Sequence, residues 1–290
     1  MTTVPYAPTT PTVGSLLREW RDRRRISQLE LALRADSSAR HISFIETGRS
    51  TPSREMVLRL ADRLEVPVRE RNALLVAAGY APQYPERPLD DPALAGVREG
   101  LERLLHGYEP FPALVVDGTY QVVAANSGIA MLLEGVAPHL LASPLNAMRL
   151  ALHPEGLAPR IVNLPEWRGH LLHQMERQLA LLRSAALREL YDEVSAYPVP
   201  GRGGVRTGAG ETGRPSFALP MVIEHAGREL SFVSTIATFN TPMDVTVSEL
   251  ALEAFLPADP GTAAFLQGLT QPAPGPGSPA PCAGDHPRRG

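Results

Sequence analysis

The residues best equipped for chemistry lie in one short stretch, Gln28 to Glu46, read as QLELALRADSSARHISFIE. Its guanidinium, imidazole, hydroxyl and amide groups donate and accept hydrogen bonds. Residues 15–54 hold nine Arg against five acids, a local balance of +4 in a chain of net charge −3. A solvated charged face accounts for part of that density. A basic patch on an acidic protein is also the electrostatic footprint of phosphate contact.

The spacing divides this stretch into two helices. The first is expected over 28–35, with Leu29, Ala32 and Leu33 at helical spacing. The second opens at Ser38, a hydroxyl suited to cap it, and runs to Glu46. Ile42 and Ile45 face inward; Ala39, Arg40, His41, Ser43 and Phe44 face outward or lie at the margin. Gly48 stands where such a helix stops, and Arg49 follows it. Gln28 either reaches a phosphate or locks against the second helix. A helix–turn–helix lays its second helix in the major groove of DNA. An ordinary helical hairpin has the same periodicity, and the arginine density favours the former.

Three more helices are expected around it, over 14–25, 53–64 and 67–79. The first ends in Arg21, Arg23, Arg24 and Arg25, cations that favourably oppose its dipole. The layout is a disordered terminus (1–13), a helical domain (14–80), a Pro-rich linker (81–92), a second domain (93–268) and a disordered tail (269–290). In the second domain, Asp117-Gly118-Thr119 joins strands over 113–117 and 120–124. Helices follow over 126–134, 145–152, 165–183 and 185–195, after one at 92–106. A Gly/Pro-rich loop spans 197–215. A second hairpin, 219–224 with 228–239, turns at His225-Ala226-Gly227. A last strand is expected over 245–256 and a short helix over 261–269. Two hairpins around a block of helices predict an α+β fold, an antiparallel sheet with helices on one face.

A ligand site in that domain needs apolar volume and a few polar handles. The candidates are Met131, Leu132, Met148, Trp167, Leu171 and Met175, with Arg160 or His170 available to a carboxylate. Plain core packing competes at each position. His170 and His173, with Glu166 a turn earlier, have ligand spacing, but a solvated face explains them better. GRGGVRTGAG, residues 201–210, lacks the Lys-Ser/Thr of a P-loop and reads as a flexible loop. No catalytic motif is found, so no enzyme, catalytic residue, metal or cofactor is expected. The single Cys282 excludes an intramolecular disulfide. No run of about 18 apolar residues is present, and residues 1–14 lack a signal-peptide layout. Cytoplasm is the expected compartment. The 28 Arg without a Lys point to a GC-rich, bacterial genome.

SQLELALRADSSARHISFIETGRSTPS resembles the Cro/repressor helix–turn–helix of the XRE family. Ser27, Gln28, Leu31, Ala32, Ser38, Ile42, Ser43, Ile45, Glu46, Gly48, Pro52 and Ser53 carry the match. The turn departs from the family's Ala-Gly-Val-Ser. Asp36 replaces a glycine that relieves a positive φ, and Ser37 replaces an apolar plug, so a less stable domain is expected. EPFPALVVDGTYQVVAAN, LHPEGLAPRIVNLPEWRGHLL and FNTPMDVTVSELALEAFLPAD resemble the PAS-like ligand-binding domain of MmyB-type regulators. Together the resemblance covers about residues 14–268.

The resemblance implies an all-α domain of five short helices in front and an α+β PAS-like domain behind. It implies Ala39, Arg40, Ser43 and Phe44 at base edges, with Gln28, His41, Thr47 and Arg49 on phosphates and Ser38 capping the reading helix. The expected protein is a homodimeric, sequence-specific regulator of transcription that binds double-stranded DNA. Its rear domain senses a small apolar ligand such as a fatty acid. A protein-interaction adaptor with a vestigial helix–turn–helix is the alternative, and an enzyme is the least supported reading.

Overall fold

The computed structural model describes residues 11–182, 184–199 and 218–270. Of the disorder expected over 1–13 and 269–290, residues 1–10 and 271–290 lie outside the described residues, as do the glycine-rich loop 201–210 and Cys282; Val13 and residues 269–270 lie in helices instead.

The front domain is five helices: α1 (Val13–Arg23), α2 (Gln28–Arg34), α3 (Ala39–Glu46), α4 (Arg54–Arg63) and α5 (Val68–Ala77). Hydroxyls start the first four. Thr12, Ser27, Ser38 and Ser53 each accept from the backbone N–H three residues on, satisfying donors that a helix start leaves free. Trp20, Leu31, Ile42, Ile45, Leu60 and Leu75 are buried together at the centre. Leu29 and Leu33 are not among them: they are 61% and 72% exposed. Leu31, Ala32 and Ala35 supply the buried face instead. Gly14 lets α1 cross the end of α3 closely, since a Cβ there would lie 2.3 Å from the Ile45 carbonyl oxygen.

The rear domain opens with α6 (Ala95–Gly107), then β1 (Ala113–Val116) and β2 (Val122–Ala125). The short helices α7 (Ala130–Leu133) and α8 (Ala147–Leu152) precede the long α9 (Leu164–Leu181) and α10 (Ala185–Ser195). The chain closes with β3 (Met221–His225), β4 (Arg228–Thr238), α11 (Val245–Glu249), β5 (Ala251–Pro257) and α12 (Pro260–Thr270). The strands form one antiparallel sheet in the order β2-β1-β5-β4-β3.

Two expectations need correction. The strand expected over 245–256 is half helix. Asp244 caps α11, its carboxylate accepting from Thr246 N–H at 2.9 Å, so β5 starts only at Ala251. Helices also cover both faces of the sheet rather than one. Strand alternation sends Ala113, Val115, Leu252 and Ala254 against Leu101 and Leu105 of α6. Leu114, Val116 and Phe232 point the other way, into the larger core with Trp167, Leu171 and Met175 of α9. Every residue of β1 is therefore buried.

The two domains meet through α5, the segment 81–92 and α11. Asn72 holds that segment in place, donating to the Tyr84 carbonyl and accepting from Gln83 and Tyr84 N–H. Val245 N–H then donates to the Pro85 carbonyl at 2.8 Å. Arg69 of α5 makes a bidentate pair with Glu249, at 2.6 and 3.0 Å, and also reaches Glu86 at 2.7 Å.

Candidate functional site

Two features of the structure can engage a partner molecule: the outer face of α3 and a cavity in the rear domain. The inner side of α3 is locked by a buried network. Glu46, with its side chain 3% exposed, accepts from Arg21 Nε at 2.7 Å and Nη2 at 3.1 Å. Gln28 Nε2 donates to the same carboxylate at 2.8 Å. Arg21 also donates to the Ile26 carbonyl at 2.8 Å, so one ion pair fixes α1, α2 and α3 relative to each other. The hydrogen bond to Glu46 raises the Arg21 pKa further above its ordinary value.

The turn before α3 carries the strain expected of it. Asp36 has φ +50°, a region that Asp and Asn tolerate better than most residues. Ser37, half-buried, is 3.2 Å from His41 Nδ1. At the other end, Arg49 N–H reaches the Phe44 carbonyl at 2.8 Å and Gly48 N–H reaches that of Ile45 at 3.1 Å. This is the Schellman arrangement, with Gly48 left-handed at φ +73°.

What remains outward on α3 is positive. Arg40 and Arg49 are exposed, and their guanidinium carbons lie 5.2 and 5.9 Å from the Phe44 ring centroid. Neither makes an ion pair among the described residues. The aromatic ring therefore holds two cations beside one another on the surface.

The cavity has a volume of about 110 Å³ and lies between the sheet and helices α7, α8 and α9. Its wall is apolar except for Glu253 of β5. Ser234 of β4 donates to Glu253 Oε1 at 2.6 Å. Glu253 is 7% exposed, and burial pushes its pKa up while the serine hydrogen bond opposes that. Tyr120, also buried, is pushed up to about 12, chiefly by desolvation.

Residues 97–269 match the family model of the MmyB-like transcription regulator ligand binding domain, and residues 17–71 match a helix-turn-helix model. The chain belongs to the MmyB-like transcription regulators. No curated protein matches it. Among solved structures it is similar to the clp gene regulator ClgR from Corynebacterium glutamicum, at 24% identity over 37% of this chain and 99% of that one, with a TM-score of 0.22. An RNA-binding Light-Oxygen-Voltage receptor matches at 13% identity over 89% of this chain and 60% of that one, with a TM-score of 0.27. The two matched family models make this MmyB-like chain a DNA-binding transcription regulator rather than an enzyme. Among the described residues, no helix is long and apolar enough to cross a membrane.

The structure distributes the expected residues of the regulator unevenly. Gln28 is turned to Glu46, as above. Ser38 accepts from His41 N–H at 3.1 Å, and Thr47 donates its hydroxyl to the Ser43 carbonyl at 2.7 Å. Ala39, His41, Ser43 and Phe44 are half-buried along α3. The Arg cluster ending α1 is largely occupied. Arg21 holds Glu46, Arg23 reaches Glu19 and the Ala180 carbonyl, and Arg24 donates to the carbonyls of Leu64 and Glu65 at the end of α4.

Of the eight ligand candidates in this regulator, Leu132, Met148, Trp167 and Leu171 line the cavity. Met131 and Met175 are buried in the surrounding core without lining it. Arg160 and His170 are elsewhere. Arg160 donates to the carbonyls of Leu132, Glu134 and Glu224. His170 stacks on the solvent side of Trp167, ring centroids 5.3 Å apart, and partial burial lowers its pKa. The polar wall residue is Glu253, which the sequence reading did not single out. Its signal was an acid in the apolar strand run ALEAFL, at the position that alternates onto the same face as Phe255. Separately, His139, His153 and Glu155 bring one ligand atom each within 4.8 Å of one another, but His153 Nδ1 already accepts from Glu155 N–H at 3.1 Å.

Proposed function

We propose that the protein is a homodimeric, sequence-specific regulator of double-stranded DNA whose rear, PAS-like domain senses a small lipid-like ligand such as a fatty acid. The observation that carries the first half is the division of labour on α3. Its inward and terminal groups are engaged in fixing the helix, while Arg40 and Arg49 stand outward without an ion partner among the described residues. In this reading Arg40 pairs with guanine O6 and N7, and Ala39 or Phe44 meets a thymine methyl. Ser43 borders the same bases. Arg49, His41 and Thr47 contact phosphates, and Gln28 and Ser38 act by positioning α3. One eight-residue helix reads few bases, which favours a dimer on half-sites about 10 base pairs apart or a multiple of that. Cytoplasm is the compartment where such a regulator meets DNA.

The apolar cavity supports the second half, with Leu132, Met148, Trp167 and Leu171 as its contacts. Engineered apolar cavities of about 150 Å³ take up benzene. A longer ligand needs the wall to give, and Met148 and Met221 are the adaptable residues there. The strand order supports the PAS-like assignment: two antiparallel hairpins flank a central last strand.

The test is operator selection with the full chain, followed by binding of the selected site and of random DNA across a salt series. Arg40→Ala is expected to weaken specific binding by about 1–3 kcal/mol and to relax one base position. Arg49→Ala should weaken both DNAs alike and reduce the salt slope by about one. Equal loss on both DNAs for Arg40→Ala removes its base-reading role.

A further inference from the structure

Taking the cavity as a ligand site, its one polar wall group sets the ligand's chemistry. We propose that the cavity takes an apolar ligand whose buried polar group is an uncharged hydrogen-bond acceptor, a ketone, aldehyde or ester carbonyl, and that the Glu253 carboxyl donates to it.

The placement comes from the strand. Alternation along β5 puts Glu253 on the cavity side with Phe255, while Leu252 and Ala254 face α6. Ser234 occupies Oε1 at 2.6 Å. Among the described residues, Ser234 is the one hydrogen-bond partner of this carboxyl, which leaves Oε2 on a side chain that lines the apolar cavity.

Charge decides between ligand classes. Among the described residues, no cation lines the cavity. Arg160 is committed to three backbone carbonyls, and His170 stands beyond Trp167. A carboxylate head beside Glu253 would meet a second carboxyl and no countercharge. An ammonium head would need Glu253 ionised, so two charges would lose their hydration with one serine to help. A neutral acceptor asks for neither charge. A carboxylic acid kept neutral in an apolar site is a hydrogen-bond donor, and Oε2–H supplies the proton that a carbonyl oxygen accepts. A fatty acid then fits only as its neutral acid at this end.

Burial also favours the protonated carboxyl. Of the titratable groups on the packed elements, Tyr120 interacts electrostatically with Glu253 and keeps its own proton. Arg177 of α9 acts on Tyr120 and on His170, and neither Arg177 nor His170 is among the groups that act on Glu253.

The experiment uses the full chain and three eight-carbon probes, 2-octanone, octanoate and octylamine, titrated at pH 7 by calorimetry and by Trp167 emission. The ketone is expected to bind roughly tenfold tighter than either ion. Its affinity should fall as pH rises through the raised Glu253 value. Glu253→Gln, which keeps an N–H donor, should hold ketone affinity within about threefold and abolish that pH dependence. Glu253→Leu should lose roughly tenfold. Preference for octanoate, unchanged in Glu253→Leu, overturns the proposal by placing an anion site elsewhere. Preference for octylamine, lost in Glu253→Gln, overturns it by making Glu253 an ionised partner. Binding of all three alike sinks the acceptor assignment alone. Binding of none, with Trp167 emission unmoved, also sinks the ligand-site reading beneath it.

Discussion

Glu46 and Glu253 are both buried glutamates, one in each domain, and their surroundings differ in kind. Glu46 has a bidentate arginine and a glutamine on its two oxygens. Glu253 has one serine hydroxyl and an empty apolar wall. A buried carboxylate with its charge and lone pairs satisfied is a structural lock. One with a single serine partner at the wall of an apolar cavity is the less satisfied of the two, and burying polar groups with few hydrogen bonds is unfavourable. The front domain spends its buried charge on holding α3 still. The rear domain's buried carboxyl, which burial favours in its neutral form, has one serine partner at the cavity wall.

The largest effect expected from this contrast is at the lock. Arg21→Met leaves Glu46 buried without its cation, and the front domain should lose about 3–5 kcal/mol. Trp20 emission in a Trp167→Phe background reports that unfolding. A loss below about 1 kcal/mol would mean that Glu46 is solvated in solution and that the contrast fails.

Next is the pH dependence of the rear domain. The folded-state pKa of Glu253 is raised above its ordinary value. Its contribution is therefore fully present below the unfolded value and is lost as pH rises through the folded one. Each tenfold change in proton affinity corresponds to about 1.4 kcal/mol. Denaturant melts followed by Trp167 should show the wild-type chain losing stability relative to Glu253→Gln as pH climbs from the carboxylate range. Parallel profiles for the two proteins would refute the unmatched state of Glu253.

The smallest effect tests how the regions communicate. Glu249 lies four residues before Glu253, at the end of α11, and grips Arg69 of the front domain. With Arg69 45% exposed, Arg69→Ala should cost stability by no more than about 1 kcal/mol. DNA affinity measured with and without a bound probe should nevertheless respond less to the probe. An unchanged response would take this pair out of the coupling.

Much of the front domain was legible because its signals are local. Ser38 and Ser53 mark helix starts, Gly48 marks a stop, and Asp36 sits where a positive φ is needed. The exposure of Leu29 and Leu33, 61% and 72%, shows the limit of periodicity. That pair, four apart, is as helical as Leu31 with Ala35, and only the packing of α2 on α3 and α4 selects the latter. In the rear domain, α11 was hidden in a β-branched run because the capping carboxylate of Asp244 acts through local hydrogen bonds that outweigh strand propensity. Arg160 and His170 look like polar handles until the tertiary fold gives each another occupation.

The sequence by itself determined the two-part order, the capped helices, the hairpins and the identity of the outward arginines, since each depends on residues within a few positions of one another. Which side chains meet across the sheet was left to the tertiary structure. The pairing of Arg21 with Glu46 spans 25 residues, that of Ser234 with Glu253 spans 19, and that of Arg69 with Glu249 spans 180. Strand order and helix packing, not local propensity, set those distances, and they decided which buried acid is a lock and which faces the cavity.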